Sequence, residues 1–175
     1  MIKYYFDNPH YIEKINNDIA RIDVGVAQVE VSIVGGTPAA FFSHHGLFAP
    51  MPFGFESHGT RQFFKLYPSL VFVLERGGVA IIDELDAAIH PLVLPEILRW
   101  FHDPGRNPHD AQLWITCHNA SLLEHLTPGE VLFCEKDGAG RTQVYGLSDI
   151  DKISADDNFY RKYMGGLFGA VPQIG

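Results

Sequence analysis

The 175 residues suffice for one domain or part of a larger one, and 46% hydrophobic against 19% charged content suits a globular protein with a real core. A net charge of −8, without any visible Lys/Arg cluster, gives no overall electrostatic reason to bind nucleic acid and leaves only a local basic patch open. The N-terminus MIKYYFDNPHYIEK has no apolar signal core, and no apolar run is long enough to span a membrane, so the expectation is a cytoplasmic chain with no membrane partner.

Residues 9–21 read as a helix, with Ile12, Ile15 and Ile19 on one face. From Val24 the period changes to two, through Val26, Val29, Val31 and Ile33, which predicts a strand ending at Gly35-Gly36. Ala39 to Phe42 is the returning strand of a hairpin, and 43–56 reads as irregular loop or edge strand. A long helix begins at Ser57, with Phe63, Leu66, Tyr67, Leu70, Val73 and Leu74 as its apolar face. Pro68 should kink it and Gly77-Gly78 should stop it.

Val79 to Ile82 is a short, wholly apolar run, the pattern of a strand buried on both faces of a parallel sheet. Pro91 and Pro95 crowd the start of another helix, carrying Leu94, Ile97, Leu98 and Phe101, and 103–110 is a turn-rich loop. Leu113 to Cys117 is a second apolar strand, after which Asn119 can cap a helix carrying Leu122, Leu123 and Leu126. Val131–Glu135 and Gln143–Leu147 flank Asp137-Gly138-Ala139-Gly140 as a hairpin, and a last helix is expected near 155–164. Cys117 and Cys134 lie in apolar runs without CxxC spacing, and are expected to be reduced core residues.

Three features carry chemistry. Asp83 and Glu84 follow the apolar strand directly, and the carboxyl ends of strands are where open α/β sheets bind ligands. One carboxylate there can hold Mg²⁺ while its neighbour polarises a water; equally, an acidic pair can simply end a strand in solvent. Ser57 and Gly59 open the long helix, whose unpaired N–H groups suit phosphate oxygens, although an ordinary cap reads the same way. His118 ends the second apolar strand, at the same sheet edge as Asp83 if the strands are parallel. Asp83, Asp86, His90 and His118 also allow a metal-dependent hydrolase as a minor reading.

In this order and spacing, the set resembles the C-terminal part of an ABC-type ATPase head, of the RecF/SMC-like group loosely called AAA-type ATPases, which includes abortive-infection ATPases. Ser57, His58, Gly59 and Thr60 match the group's Ser-x-Gly-Thr signature, and Asp83 to Pro91 matches its extended Walker B segment. The ending YRKYMGGLFGAVPQI is also similar, and the likeness runs from about residue 15 to 174. It implies an α/β fold with a mostly parallel core sheet, preceded by a β-hairpin region, in one partial ATPase domain. Its parts would be a helix and hairpin region (1–56), a core with signature helix, Walker B strand and switch histidine (57–147), and a C-terminal helix and tail (148–175).

The resemblance also implies roles. Asp83 would organise the Mg²⁺ shell, Glu84 would be the base for the attacking water, and His118 would be the switch histidine at the γ-phosphate. Ser57, Gly59 and Thr60 would meet ATP held by a second head, and Ala88 to His90 would form a loop across the head–head interface. His90 stands where transporters of the superfamily have Asp. No GxxxxGK[ST] occurs in the chain; the nearest candidate, Gly138 to Thr142, lacks the first Gly and the Lys. The chain therefore reads as the second half of an ATPase that needs a P-loop-containing segment, or as a non-catalytic partner lending its signature helix to one.

Overall fold

The computed structural model describes residues 1–87, 89–154 and 157–171. It divides into two compact units, Met1–Thr116 and Cys117–Gly175.

The first unit opens with helices α1 (Ile2–Asp7) and α2 (His10–Ile22), then strands β1 (Val26–Val34), β2 (Thr37–His44) and the short β3 (Met51–Pro52). These strands form one antiparallel sheet in the order β1-β2-β3. The hairpin is as expected, but a bulge between Val26 and Gln28 resets the alternation. The extra residue lets Val26 and Val29, three apart, both enter the core, while Val24 and Ile33 stay exposed. On α2 the buried stripe is Tyr11, Ile15, Asp18 and Ile19, with Ile12 only half-buried.

Helix α3 (His58–Arg76) runs as one helix through Pro68. Proline has no N–H to give to the carbonyl four residues earlier, which would leave Phe64 O without its helical donor. The Tyr5 hydroxyl donates to Phe64 O at 2.8 Å in its place, and its ring stacks on Phe64 at 4.2 Å. An outside donor thus satisfies the expected weak point. The helix ends at Gly77, whose φ of 75° suits glycine, and a Cβ there would sit 2.9 Å from the His109 carbonyl oxygen.

Strands β4 (Val79–Ile82) and β5 (Gln112–Ile115) pair in parallel, Val79 opposite Gln112 and Ile82 opposite Ile115. The parallel pairing is as expected; burial on both faces is not. Val79, Ile81 and Trp114 are 52%, 80% and 53% exposed, whereas Ala80, Ile82, Leu113 and Ile115 on the opposite face are partly covered. A sheet of two strands with packed helices on one side only cannot bury both faces. Between the strands, helix α4 (Leu94–His102) starts later than its prolines suggest, with Pro95 in the first turn, where the missing N–H costs nothing.

A buried polar network ties this unit together. Arg106, from the turn-rich loop, places Nη2 2.6 and 2.5 Å from the two Asp18 carboxylate oxygens and lies over the Trp100 ring at 4.4 Å. The Tyr67 hydroxyl donates to Asp18 Oδ2 at 2.8 Å. Beside Arg106, Asn107 fastens the loop by donating to Phe101 O and Ala111 O and accepting from Ala111 N.

The second unit holds an antiparallel hairpin of β6 (Leu132–Lys136) and β7 (Thr142–Gly146), a 3-10 turn at Ala120–His125, and α5 (Phe159–Met164). Its core is Leu123, Val131, Phe133, Leu147, Phe159 and Phe168. Asn119 caps the turn after it as expected, accepting from Ser121 N, but the turn is 3-10 and not α. The start of the last expected helix, Ala155 and Asp156, lies outside the described residues. Cys134 is exposed and Cys117 only half-buried, so neither is the core residue expected. No helix among the described residues is long and apolar enough to cross a membrane.

Candidate functional site

The acidic pair sits where parallel pairing puts it. Both β4 and β5 end at the same sheet edge, and the next backbone bond, Thr116 N to Ile82 O at 3.1 Å, carries the ladder one step past the strands. There the chain turns sharply. Leu85 N donates to Thr116 O at 3.1 Å, Ala87 N donates to Glu84 O at 2.9 Å, and the buried Leu85 and Ile89 side chains anchor the turn. Glu84 takes a left-handed φ of 48°, which a side-chain-bearing residue adopts at a cost of about 1–3 kcal/mol. Asp83 and Glu84 are both exposed.

Thr116, which the sequence reading passed over, bonds to both members of the pair. Its hydroxyl accepts from Glu84 N at 2.7 Å and donates to Asp83 Oδ1 at 2.5 Å. The signal that could have found it is its register: Thr116 is the first residue beyond Ile115, and so lies beside Asp83, the first beyond Ile82.

The start of α3 is a second polar cluster in the same unit. Ser57 is the N-cap, with Oγ accepting from Thr60 N at 3.1 Å. Ser57 and His58 are exposed and Gly59 is half-buried, so this helix start is accessible. Thr60 is different. It is 4% exposed, and its hydroxyl donates to Asp23 Oδ2 at 2.7 Å while sitting 2.7 Å from Ser57 Oγ. Those bonds give Thr60 a structural task, fixing the helix start to the Asp23 turn. Just before the cap, the buried Glu56 is bonded to His44 Nε2 at 2.7 Å, so His44 is a partnered group and not an ordinary surface histidine.

His90 is exposed, and its Nδ1 accepts from Leu92 N at 3.2 Å. Ala88 lies outside the described residues. His118 is exposed, at the start of the second unit. The candidate P-loop fragment at Gly138–Thr142 is the tip of the β6–β7 hairpin, closed by Asp137 Oδ1 accepting from Ala139 N and Arg141 N at 2.8 and 2.9 Å. The Arg141 backbone N–H and guanidinium hold the Asp137 carboxyl below the usual carboxylate range.

Magnesium keeps most of its waters and takes one or two carboxylates, so the donor set needed is small. Asp83 fits: it is exposed, and its carboxylate is oriented by the Thr116 hydroxyl at Oδ1. No group of three His, Cys, Asp or Glu side chains among the described residues could hold a metal ion as an all-protein cage. The first-unit members of the hydrolase set, Asp83, Asp86 and His90, are therefore not assembled as a metal site.

Comparisons with known proteins bear on the fold and the family. Among curated proteins no sequence matches the chain. A solved structure from work on the structural biochemistry of ATP-driven dimerization and DNA-stimulated activation of SMC ATPases superposes with a TM-score of 0.66 over 94% of each chain, at 9% identity. At that identity the likeness is one of fold: a mixed α/β ATPase-head fold with a parallel strand pair and antiparallel hairpins. Residues 6–124 match the family AAA_21, described as "AAA domain, putative AbiEii toxin, Type IV TA system". The chain belongs to this AAA-domain family and has the fold of an SMC-like, ABC-type ATPase head.

Proposed function

We propose that the chain binds and hydrolyses ATP as the C-terminal portion of an ABC-type head, with Mg²⁺ and across an interface with a second head. The observation that carries this is the acidic pair at the carboxyl end of β4, level with the end of β5 and braced by the residue that follows it. Bound Mg²⁺ would neutralise charge on the β- and γ-phosphates. Asp83 would hold that ion's water shell. Glu84, exposed in the turn, would take the proton of the attacking water, and His118 would donate to the γ-phosphate. Ser57 and Gly59 would meet the γ-phosphate of ATP on the second head through the start of α3, and Ala88 to His90 would lie at that interface. Thr60 would act only indirectly, by holding the helix start in place.

Phosphate binding needs a cradle of backbone N–H groups and a Lys that these 175 residues do not spell. A P-loop-containing segment would supply it, and the uncovered face of β4–β5, with Val79, Ile81 and Trp114, is apolar surface suited to such a segment. The same missing motif favours one rival, a non-catalytic partner that lends its signature helix to an intact ATPase.

The deciding experiment measures ATP turnover of the chain with its P-loop-containing segment, against Glu84→Gln in this chain alone. Loss of turnover with retained ATP supports catalysis here. Undiminished turnover supports the lending role.

A further inference from the structure

We propose that Thr116 is the positioning residue of the acidic pair: one hydroxyl, accepting from the Glu84 amide and donating to Asp83 Oδ1, sets the corner in which both carboxylates work. This rests on the ATPase reading above and names how that site is held.

The argument starts from backbone strain. Glu84 is held at a φ of 48°, a conformation it would leave unless neighbouring bonds over-determined it. Three of the bonds that hold this corner involve Thr116. Its N–H extends the ladder to Ile82 O, its carbonyl accepts from Leu85 N at 3.1 Å, and its hydroxyl accepts from Glu84 N at 2.7 Å. The backbone bonds would survive any side chain at position 116; the bond to Glu84 N needs a hydroxyl.

That hydroxyl has one proton, and the proton goes to Asp83 Oδ1 at 2.5 Å. Using Oδ1 in this way restricts rotation of the carboxylate. A hydroxyl that accepts from one residue and donates to its neighbour ties the Asp83 carboxylate to the Glu84 backbone, which neither contact alone would do. Thr116 is itself exposed, so its role is not core packing.

The test compares wild type, Thr116→Ser and Thr116→Val as full chains. Mg·ATP turnover is measured with the P-loop-containing segment present, and amide hydrogen exchange on the chain alone. Thr116→Val should slow turnover by about tenfold or more, the scale of one hydrogen bond to a charged group. It should also raise the Mg²⁺ concentration for half-maximal rate and speed exchange at the Glu84 amide, leaving the amides of the β4–β5 ladder unchanged. Thr116→Ser should behave as wild type. If Thr116→Val opens the ladder as well, Thr116→Ala, which places no methyl against the turn, carries the same comparison. Turnover and Mg²⁺ dependence that ignore the hydroxyl, or a Ser variant as impaired as Val, overturn the proposal alone. No turnover by wild type at any Mg²⁺ concentration overturns the ATPase reading and this proposal with it.

Discussion

The Tyr5 hydroxyl donates to Phe64 O, the one α3 carbonyl that Pro68 deprives of its helical donor. A first-helix side chain thereby repairs a helix that begins at His58. Tyr5→Phe should cost about 1–3 kcal/mol, because a buried carbonyl loses its partner. In a Pro68→Ala background the restored N–H at position 68 can serve Phe64 O, so the same substitution should cost less. Urea denaturation of the four proteins of this cycle measures the coupling, and additive costs would mean that the bond does not compensate for the proline.

The Asp18–Arg106 pair should be the most sensitive electrostatic contact in the first unit. Arg106→Ala leaves the buried Asp18 with Tyr67 as its partner among the described residues, and should cost about 3–5 kcal/mol. Arg106→Lys keeps the charge but loses the planar group that stacks on Trp100, and should fall between wild type and Arg106→Ala. Denaturant midpoints give the order; a neutral Arg106→Ala would refute it.

Thr60 and Ser57 should separate. Thr60→Val removes the hydroxyl bond to Asp23 from a buried site and should lower stability by about 1–3 kcal/mol. Ser57→Ala loses a cap, about 1 kcal/mol, and should in addition impair ATP-dependent association of heads. Thermal melts beside sedimentation in Mg·ATP distinguish the two effects.

Alkaline pH should unfold the chain through its tyrosines. Burial pushes the Tyr5 and Tyr67 hydroxyls well above their ordinary value of 10, and the Asp18 carboxylate pushes Tyr67 further in the same direction. Because the folded values exceed the unfolded ones, this stability is complete below about pH 10 and is lost as pH rises beyond it. Each tyrosine should contribute a slope of about 1.4 kcal/mol per pH unit there. Denaturation series between about pH 9 and 11 should show a shallower fall for Tyr67→Phe than for wild type.

The uncovered β4–β5 face should make the chain self-associate when alone. Ile81→Lys, on the exposed face, should reduce light scattering without lowering stability by more than about 0.5 kcal/mol. Trp114 fluorescence should shift to the blue on adding a P-loop-containing segment. A wild-type chain that is monodisperse at all concentrations would count against the docking role of this face.

Much of the fold was legible because it depends on local chemistry. The helix at 10–22, the hairpin at 26–44, the Ser57 cap, the Gly77 stop and the parallel pair β4–β5 all follow from period, cap and turn residues. The errors arose where a distant partner decides. Four apolar residues before Asp83 look buried on both sides, but burial depends on what covers a face, and Ile81 remains exposed. Pro68 leaves the Phe64 carbonyl without its helical donor, and the hydroxyl that serves it, on Tyr5, lies far away in sequence. On α2, Asp18 is buried because Arg106 and Tyr67, far away in sequence, close on it.

The sequence by itself determined most of the elements and the membership of residues 6–124 in an AAA-domain family. Periodicity, capping and short motifs are properties of neighbouring residues, so they can be read along a chain. Only the tertiary structure decided which polar groups are committed and which are available. It occupies Thr60 with Asp23, pairs His44 with Glu56, and brings Thr116 to the acidic corner across a strand pair. Hydrogen bonds of this kind join residues whose separation along the chain is set by topology, and no local pattern encodes their partner.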